Sequence, residues 1–168
     1  MSGLTYAEVG ATRSGDLPAG YRHLRYRVAV GHDVFDTAAS AVLTWRMHRA
    51  AGIRMTTSAT RAAPGVLVTS GLGIGPLRLP APCEVVWVAD EPGRAGFGYG
   101  TLPGHPARGE ESFLVTQGAD GVTWFSVTAF SVPATFLMRA AGPAAPVFQR
   151  AYAAWCARAL RHLCHRDR

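Results

Sequence analysis

The side chains able to exchange protons are concentrated in one segment, GFGYGTLPGHPARGEESF, which runs from Gly96 to Phe113. This segment holds a histidine between two prolines, His105, and two adjacent carboxylates, Glu110 and Glu111. A carboxyl group or an imidazole beside a bound molecule can act as a general acid or base. The segment therefore predicts an acid/base site, with Glu111 and His105 as the candidate catalytic residues.

The same segment is predicted to form a β-hairpin, because two strand-like runs flank the turn-rich sequence PGHPARG. Pairing the runs across that loop places Thr101 opposite Glu111 and Tyr99 opposite Phe113. Alternate residues of a strand share a face. One face therefore carries the aromatic rings with Thr101 and Glu111, whereas Glu110 is expected to point away from them, toward solvent.

The glycines of GFGYG recur at every second position, which is the spacing of one face of a strand. A phosphate-binding glycine loop needs a helix N-terminus directly after it, whereas a second strand follows here. We therefore interpret these glycines as points of bending or of close approach by another group. The histidines and cysteines show no metal-ligand spacing, so neither a metal nor another cofactor is expected.

Two interpretations stay open for each candidate catalytic residue. Glu111 either acts as an acid or base whose pKa is raised by burial, or forms a structural ion pair, for instance with Arg139. His105 either acts as an acid or base near neutral pH, or is an exposed turn residue.

Hydrophobic periodicity predicts an α+β fold in a single domain. Apolar and polar residues alternate in a first strand, helical spacing follows, and further strand-like runs separated by glycine- and proline-rich turns predict an antiparallel meander. Apolar residues of the C-terminal part recur at helical spacing and predict a long amphipathic helix, with a stripe of Phe148, Tyr152, Trp155, Ala159 and Leu163. The expected bounds are 1–20 for an irregular lead-in, 21–30 for the first strand, 34–50 for a helix, 65–131 for the meander and 143–165 for the C-terminal helix.

This element order resembles the helix-grip fold of START-like (SRPBCC) and pollen-allergen-like proteins, in which a curved antiparallel sheet, here of about six strands, wraps around a long C-terminal helix. A helix is inserted after the first strand. The stretches GFGYGTLPGHPARGEESF, FSVTAFSVPATFLMRAAGP and YAEVGATRSGDLPAGY also resemble a domain-of-unknown-function family with the hairpin motif GYGTLPGHP-x-x-GEE-x-F. This resemblance covers nearly the whole chain and implies no particular reaction.

Proteins of the START-like superfamily that this chain resembles share a cavity between the sheet and the long helix. They bind lipids, hormones or polyketides in it, and some catalyse cyclisation or hydrolysis there. The resemblance therefore implies a site for a small apolar or amphipathic molecule. The alternatives are an enzyme of hydrolase or cyclase type with Glu111 as its acid/base group, and a packed core without a cavity. The candidate ligand-binding residues are Tyr99, Thr101, Phe113, Trp87, Tyr152, Trp155 and Arg139.

Composition limits the partners and the location. The 168 residues include 17 arginines, no lysine and 11 acidic residues, which gives a net charge of +6. The charge raises nucleic acid or another acidic partner as a third hypothesis, but the arginines form no continuous stripe with aromatic residues, which disfavours nucleic acid. No run approaches the roughly 18 apolar residues of a membrane span. Three cysteines without paired spacing and a start unlike a signal peptide predict a cytoplasmic location.

Overall fold

The computed structural model describes residues 3–74 and 76–166. In chain order the elements are α1 (Ala11–Ser14), β1 (Arg22–His32), α2 (Phe35–Leu43), α3 (Arg46–Ala50), β2 (Arg54–Thr57), β3 (Leu67–Ile74), β4 (Leu77–Glu91), β5 (Arg94–Thr101), β6 (Ala107–Gln117), β7 (Val122–Pro133), α4 (Phe136–Ala140) and α5 (Ala144–Arg166). Within the described residues, seven antiparallel strands form one sheet in the order β1-β7-β6-β5-β4-β3-β2. The predicted α+β fold, a curved antiparallel sheet around a long C-terminal helix, is confirmed.

Besides the short helices α1 and α4, which were not predicted, three elements differ from their sequence-based bounds for identifiable reasons. The strand that was not predicted, β2, has only 4 residues, too few for an alternating pattern to stand out. The helix expected over 34–50 is divided into α2 and α3 because Trp45 has a left-handed backbone, with φ of 66°. Strand β4 begins before the strand-like run that the sequence shows over 83–89, and its prolines are tolerated because the part up to Pro82 pairs within the sheet with β3 alone.

The core lies between the inner face of the sheet and the helices α2, α3 and α5. Phe97, Phe113 and Phe125 are fully buried on the inner face. Trp45 packs edge-on against Phe97, with a ring-centroid distance of 5.0 Å. Aromatic pairs in this geometry are stabilising beyond the area that they bury, so the aromatic rings predicted to face inward do form the centre of the fold.

A histidine that the sequence analysis did not single out lies in this core. His48 of α3 is fully buried, its ring centroid is 4.6 Å from that of Phe113, and neither ring nitrogen has a hydrogen-bond partner. Burial lowers the pKa of His48 to about 3. The imidazole is therefore neutral at physiological pH and behaves as a core side chain.

The side chains that α5 buries are mostly smaller than those predicted from the sequence. The predicted apolar stripe ran through Tyr152 and Trp155, whereas the buried residues are Ala153, Cys156, Ala157, Leu160 and Cys164. Small side chains let the helix axis approach the sheet closely, and the larger aromatic residues then flank the contact. None of the described helices combines the length and apolarity needed to cross a bilayer.

The N-terminal lead-in is fastened to the outer face of the sheet by the Glu110 carboxylate. Its Oε2 accepts hydrogen bonds from the Tyr6 hydroxyl and the Gly10 amide, each at 2.7 Å. Its Oε1 accepts from the Thr12 amide at 3.0 Å and also from the Thr12 hydroxyl. The expectation that Glu110 is solvated is wrong, since the residue is 2% exposed. The Glu110 side chain does point away from the aromatic face, as predicted, but the lead-in residues cover it on the outer face.

Two of the strand glycines make room for this cover. The Trp87 indole lies against Gly98 and the Tyr6 ring lies against Gly100, and a Cβ atom at either glycine would overlap with the ring. The Trp87 Nε1 donates a hydrogen bond to the Thr12 hydroxyl at 3.0 Å. The alternate spacing of glycines in β5 therefore reflects close approach by aromatic rings, which was one of the predicted roles.

Replacing Glu110 with glutamine tests this anchoring. Every partner of the carboxylate is a donor, so the amide group of glutamine would face donors that it cannot accept from. We expect Glu110→Gln to lower the free energy of unfolding by about 3 kcal/mol, measured by urea denaturation. As a control, Glu91→Gln removes an exposed carboxylate and should change stability by less than about 0.5 kcal/mol. Equal effects of the two substitutions would show that the lead-in is not held by Glu110.

Candidate functional site

A cavity of about 120 Å³ lies between strands β5 to β7 and the helices α4 and α5. It occupies the position predicted from the element order, between the sheet and the C-terminal helix. Its walls are mostly apolar, and a few polar groups converge on it. The side chains that line the cavity include Tyr99, Thr101, His105, Glu111, Met138, Phe148, Gln149 and Tyr152.

The β5–β6 hairpin that supplies the polar wall has the predicted faces but a different register. Tyr99 pairs with Glu111 and Gly100 with Glu110, whereas Thr101 was expected opposite Glu111. The pairing is shifted by two residues because Ala107 already belongs to β6 and the Gly109 amide donates to the Thr101 hydroxyl, at 3.0 Å. A shift by two keeps each side chain on its face, so Glu111 still points inward.

Glu111 is a carboxylate with few partners in a largely apolar wall. The Tyr99 hydroxyl donates a hydrogen bond to its Oε2 at 3.1 Å. The ion pairs formed within the described part of the chain do not include Glu111. Burial raises the pKa of Glu111 to about 7, and the hydrogen bond from Tyr99 acts in the opposite direction. At neutral pH the group therefore exists in both protonation states in comparable amounts.

The alternative in which Arg139 neutralises Glu111 does not match the structure. Arg139 lies on the exposed side of α4 and does not line the cavity. Its predicted place among the ligand-binding residues is therefore not borne out by the geometry. The reason is that α4 is a separate short helix, which turns Met138 toward the cavity and the neighbouring arginine toward solvent.

Four neutral hydroxyl and thiol groups surround the Glu111 carboxylate. Burial, followed by the charge of Glu111 among other causes, raises the pKa of Tyr99 and Tyr152 well above the usual value. Burial and the charge of Glu111 likewise raise the pKa of Cys83, and raise that of Cys156 to about 12. A buried thiol with a raised pKa is a poor nucleophile, so these cysteines contribute packing and polarity.

His105 is a half-buried part of the cavity wall, and neither sequence-based interpretation describes it fully. Its Nδ1 lies 2.9 Å from the Ala107 amide nitrogen and 3.0 Å from the Ala107 carbonyl oxygen, so it accepts from the amide or donates to the carbonyl according to the tautomer. Burial lowers the pKa of His105 to about 4. The ring is therefore neutral near pH 7 and can donate a hydrogen bond, but it is not poised to exchange protons there.

The structure separates the remaining predicted ligand residues from the cavity. Phe113 is buried beneath it, in the aromatic core. Trp87 lies on the outer face of the sheet under the lead-in, because a register shift next to it in β4 changes the alternation. Trp155 is 57% exposed, and its Nε1 donates to the Ala51 carbonyl at 2.7 Å. Of the predicted set, Tyr99, Thr101 and Tyr152 line the cavity.

Sequence reasoning missed part of the wall that α4 and α5 supply. Gln149 lines the cavity and its Nε2 donates to the Ser131 hydroxyl at 3.1 Å, which joins α5 to β7. Gln149 precedes Tyr152 by three residues, so helical spacing could have placed both on one side of α5. Phe148 precedes Tyr152 by four residues and was predicted on the same side of α5, whereas Met138 carried no comparable signal, because its position depends on the separate helix α4.

The chain has the helix-grip fold, in which a curved antiparallel sheet packs around a long C-terminal helix. The cavity, with polar side chains in its wall, lies between the two. The chain belongs to the family described as "Domain of unknown function (DUF1990)", which matches residues 5–159. It is 36% identical over 168 residues to a UPF0548 protein of Deinococcus radiodurans, an alignment that covers 93% of this chain and 85% of that protein.

Solved structures share the fold at low sequence identity. A hypothetical protein of Helicobacter pylori superposes with a TM-score of 0.65 at 9% identity and covers 96% of each chain. Norcoclaurine synthase of Thalictrum flavum, in complex with dopamine and hydroxybenzaldehyde, superposes with a TM-score of 0.59 at 11% identity over 100% of this chain and 99% of that one. At this identity the likeness establishes the fold and no shared activity.

The raised pKa of Glu111 predicts a pH-dependent effect on stability. The folded protein holds a proton on Glu111 up to about pH 7, whereas the unfolded chain releases it near 4.5, so Glu111 lowers stability as the pH rises through this window. We therefore expect the difference in unfolding free energy, Glu111→Gln minus wild type, to increase by about 3 kcal/mol between pH 4 and pH 8. Denaturant titrations at the two pH values measure the difference.

Glu91→Gln serves as the matched control, because its carboxylate is exposed at the end of β4. Its difference from wild type should stay nearly constant over the same pH range. A Glu111→Gln variant whose difference from wild type also stays constant would mean that Glu111 ionises as easily in the folded protein as in the unfolded chain.

Proposed function

We propose that this protein binds a small amphipathic molecule in the cavity, with its apolar part against the sheet and α5 and its polar group on Glu111. The proposal is supported by the make-up of the wall, since ligand sites are mostly apolar with a few convergent polar groups. Tyr99, His105 and Tyr152 are the polar neighbours that would orient the molecule beside Glu111.

The observation that carries the proposal is the incomplete hydrogen bonding of Glu111. A carboxylate offers about four acceptor positions, and the hydroxyl of Tyr99 occupies one of them. The Glu111 side chain is half-buried and lines the cavity, so its remaining acceptor positions are open to a molecule bound there. A hydroxyl, amine or amide on a ligand would occupy the remaining positions, so we infer a ligand that carries a hydrogen-bond donor on an apolar body.

The size of the cavity favours a ligand with a single ring or a short chain. Its volume of about 120 Å³ is close to the roughly 150 Å³ of an engineered cavity that binds benzene. A larger molecule would extend through the opening of the cavity beyond these walls. Norcoclaurine synthase, which shares the fold, was crystallised with two single-ring molecules, dopamine and hydroxybenzaldehyde; this likeness supports the size class by analogy only.

A second candidate function is catalysis in the same cavity by an enzyme of hydrolase or cyclase type. It is favoured by the pKa of Glu111, about 7, because a general acid or base is most effective when its pKa lies near the working pH. The neutral thiols of Cys83 and Cys156 disfavour a covalent mechanism through cysteine. Recovery of a chemically altered ligand after incubation would favour this candidate over simple binding.

We also propose a reducing cytoplasmic location. All three cysteines, Cys83, Cys156 and Cys164, are buried and form no disulfide. Cysteines without disulfides are the usual state in a compartment in which glutathione and thioredoxin keep cysteine reduced.

The proposed function is tested with 2-phenylethylamine, which joins one aromatic ring to a charged donor. We expect it to perturb the NMR resonances of Tyr99 and Tyr152 and to bind Glu111→Gln about 10- to 100-fold more weakly, because a hydrogen bond to a charged group is lost. Glu91→Gln is the control and should bind like wild type. Ethylbenzene, which lacks the donor, should bind weakly to all three proteins.

Equal binding of the amine to wild type and to Glu111→Gln would contradict the proposed role of Glu111. Perturbations confined to residues outside the cavity would contradict the proposed site. Native mass spectrometry of the purified protein provides an independent check, since a co-purified amphipathic molecule should be displaced by the amine.

A further inference from the structure

Four large apolar side chains are exposed beside the opening of the cavity. Phe136 and Leu137 of α4 are 85% and 65% exposed, and Val147 and Phe148 of α5 are 71% and 58% exposed. We call these four residues the apolar rim. Phe148 also lines the cavity, as does Met138 next to Leu137, so the rim borders the cavity itself. Clustered exposed apolar side chains of this kind mark an interaction surface.

The two helices that carry the rim, α4 and α5, contain arginine and no acidic residue. Arg139 of α4 and Arg150 of α5 are both exposed. Arg22 donates from Nη1 to the Gly142 carbonyl at 3.1 Å, which brings a third guanidinium group to the turn between α4 and α5. The ion pairs within the described residues include none of these three arginines.

The charge asymmetry extends over the whole C-terminal part of the sequence. No aspartate or glutamate occurs between Asp120 and Asp167. The same interval contains Arg139, Arg150, Arg158, Arg161 and Arg166. The net charge of +6 is therefore concentrated on the helices that carry the rim, although the arginines form no continuous stripe.

This combination favours an anionic bilayer over a second copy of the chain. In a symmetric dimer the same patch of both copies would meet, which would bring the arginines of the two rims together without a carboxylate on α4 or α5 to pair with them. Like charges across an interface oppose association. In a bilayer with anionic lipids, the acyl chains can bury the apolar side chains of the rim, and the lipid phosphates can pair with the arginines.

We propose that the apolar rim docks on the surface of an anionic lipid bilayer. Phe136, Leu137, Val147 and Phe148 enter the boundary between headgroups and acyl chains, and Arg22, Arg139 and Arg150 contact lipid phosphates. The attachment is peripheral and reversible, since it depends on a few side chains and not on a membrane span. If the proposed ligand binding also holds, the cavity opens toward the membrane, where amphipathic molecules concentrate.

Co-sedimentation of the full chain with vesicles tests the docking. Vesicles of phosphatidylcholine with about 30% phosphatidylserine should retain the protein, vesicles of phosphatidylcholine alone should retain much less, and added salt should release it. The double variant Phe136→Ser, Leu137→Ser should reduce the partition coefficient by at least about 10-fold. Arg139→Gln should reduce it about 5-fold.

Matched controls have the same chemistry at sites away from the rim. Leu67→Ser removes an apolar side chain that is 51% exposed on β3, and Arg54→Gln removes an exposed arginine on β2. Leu67→Ser should leave partitioning unchanged, and Arg54→Gln should reduce it less than Arg139→Gln. Because both rim residues are exposed, the double variant should unfold at the same denaturant concentration as wild type, which circular dichroism checks.

Three outcomes would overturn the proposal. Wild type could fail to bind the anionic vesicles, or the rim and control variants could partition equally. Alternatively, light scattering could show a dimer that the double rim variant dissociates, which would assign the rim to self-association. None of these results concerns the 2-phenylethylamine assay, so failure of docking and failure of ligand binding are distinguishable.

Discussion

The position of the lead-in and that of the candidate site both depend on two adjacent carboxylates of β6, which point to opposite faces of the sheet. Because a strand sends successive side chains to opposite faces, Glu110 is buried on the outer side of the sheet and Glu111 lies half-buried on the inner side. Glu110 accepts hydrogen bonds from both backbone and side chains of the lead-in and fastens that segment to the outer face. Glu111 receives one hydrogen bond, from Tyr99. Residues of identical chemistry thus become a structural anchor and a candidate binding group.

The sheet and α5 together keep the second carboxylate in a low-dielectric space. Small residues of α5, such as Ala153 and Cys156, allow the helix to lie close to the aromatic core. Toward its N-terminal end the helix is more exposed, and Phe148 and Tyr152 line the cavity there. Tight packing at one end of α5 and looser packing at the other therefore position the Glu111 site.

The sequence predicted what depends on periodicity and missed what depends on distant contacts. Because a shift by two residues preserves the faces, the inward direction of Glu111 survived an error in the register of the hairpin. The burial of Glu110 was not predictable, since its partner Tyr6 lies 104 residues away in the chain. The orientation of α5 was misjudged at Trp155, because aromatic residues suggested the core while smaller residues at neighbouring positions provide it.

The central claim is that Glu111 is a desolvated carboxylate with unused hydrogen-bonding capacity. The most direct test follows the side-chain carboxyl carbon of Glu111 by NMR through a pH titration, with the signal assigned by its loss in Glu111→Gln. The account predicts a titration midpoint of about 7 for this carbon. A midpoint near the ordinary value of 4.5 would contradict it, because it would show that water or a cation stabilises the charge in the cavity.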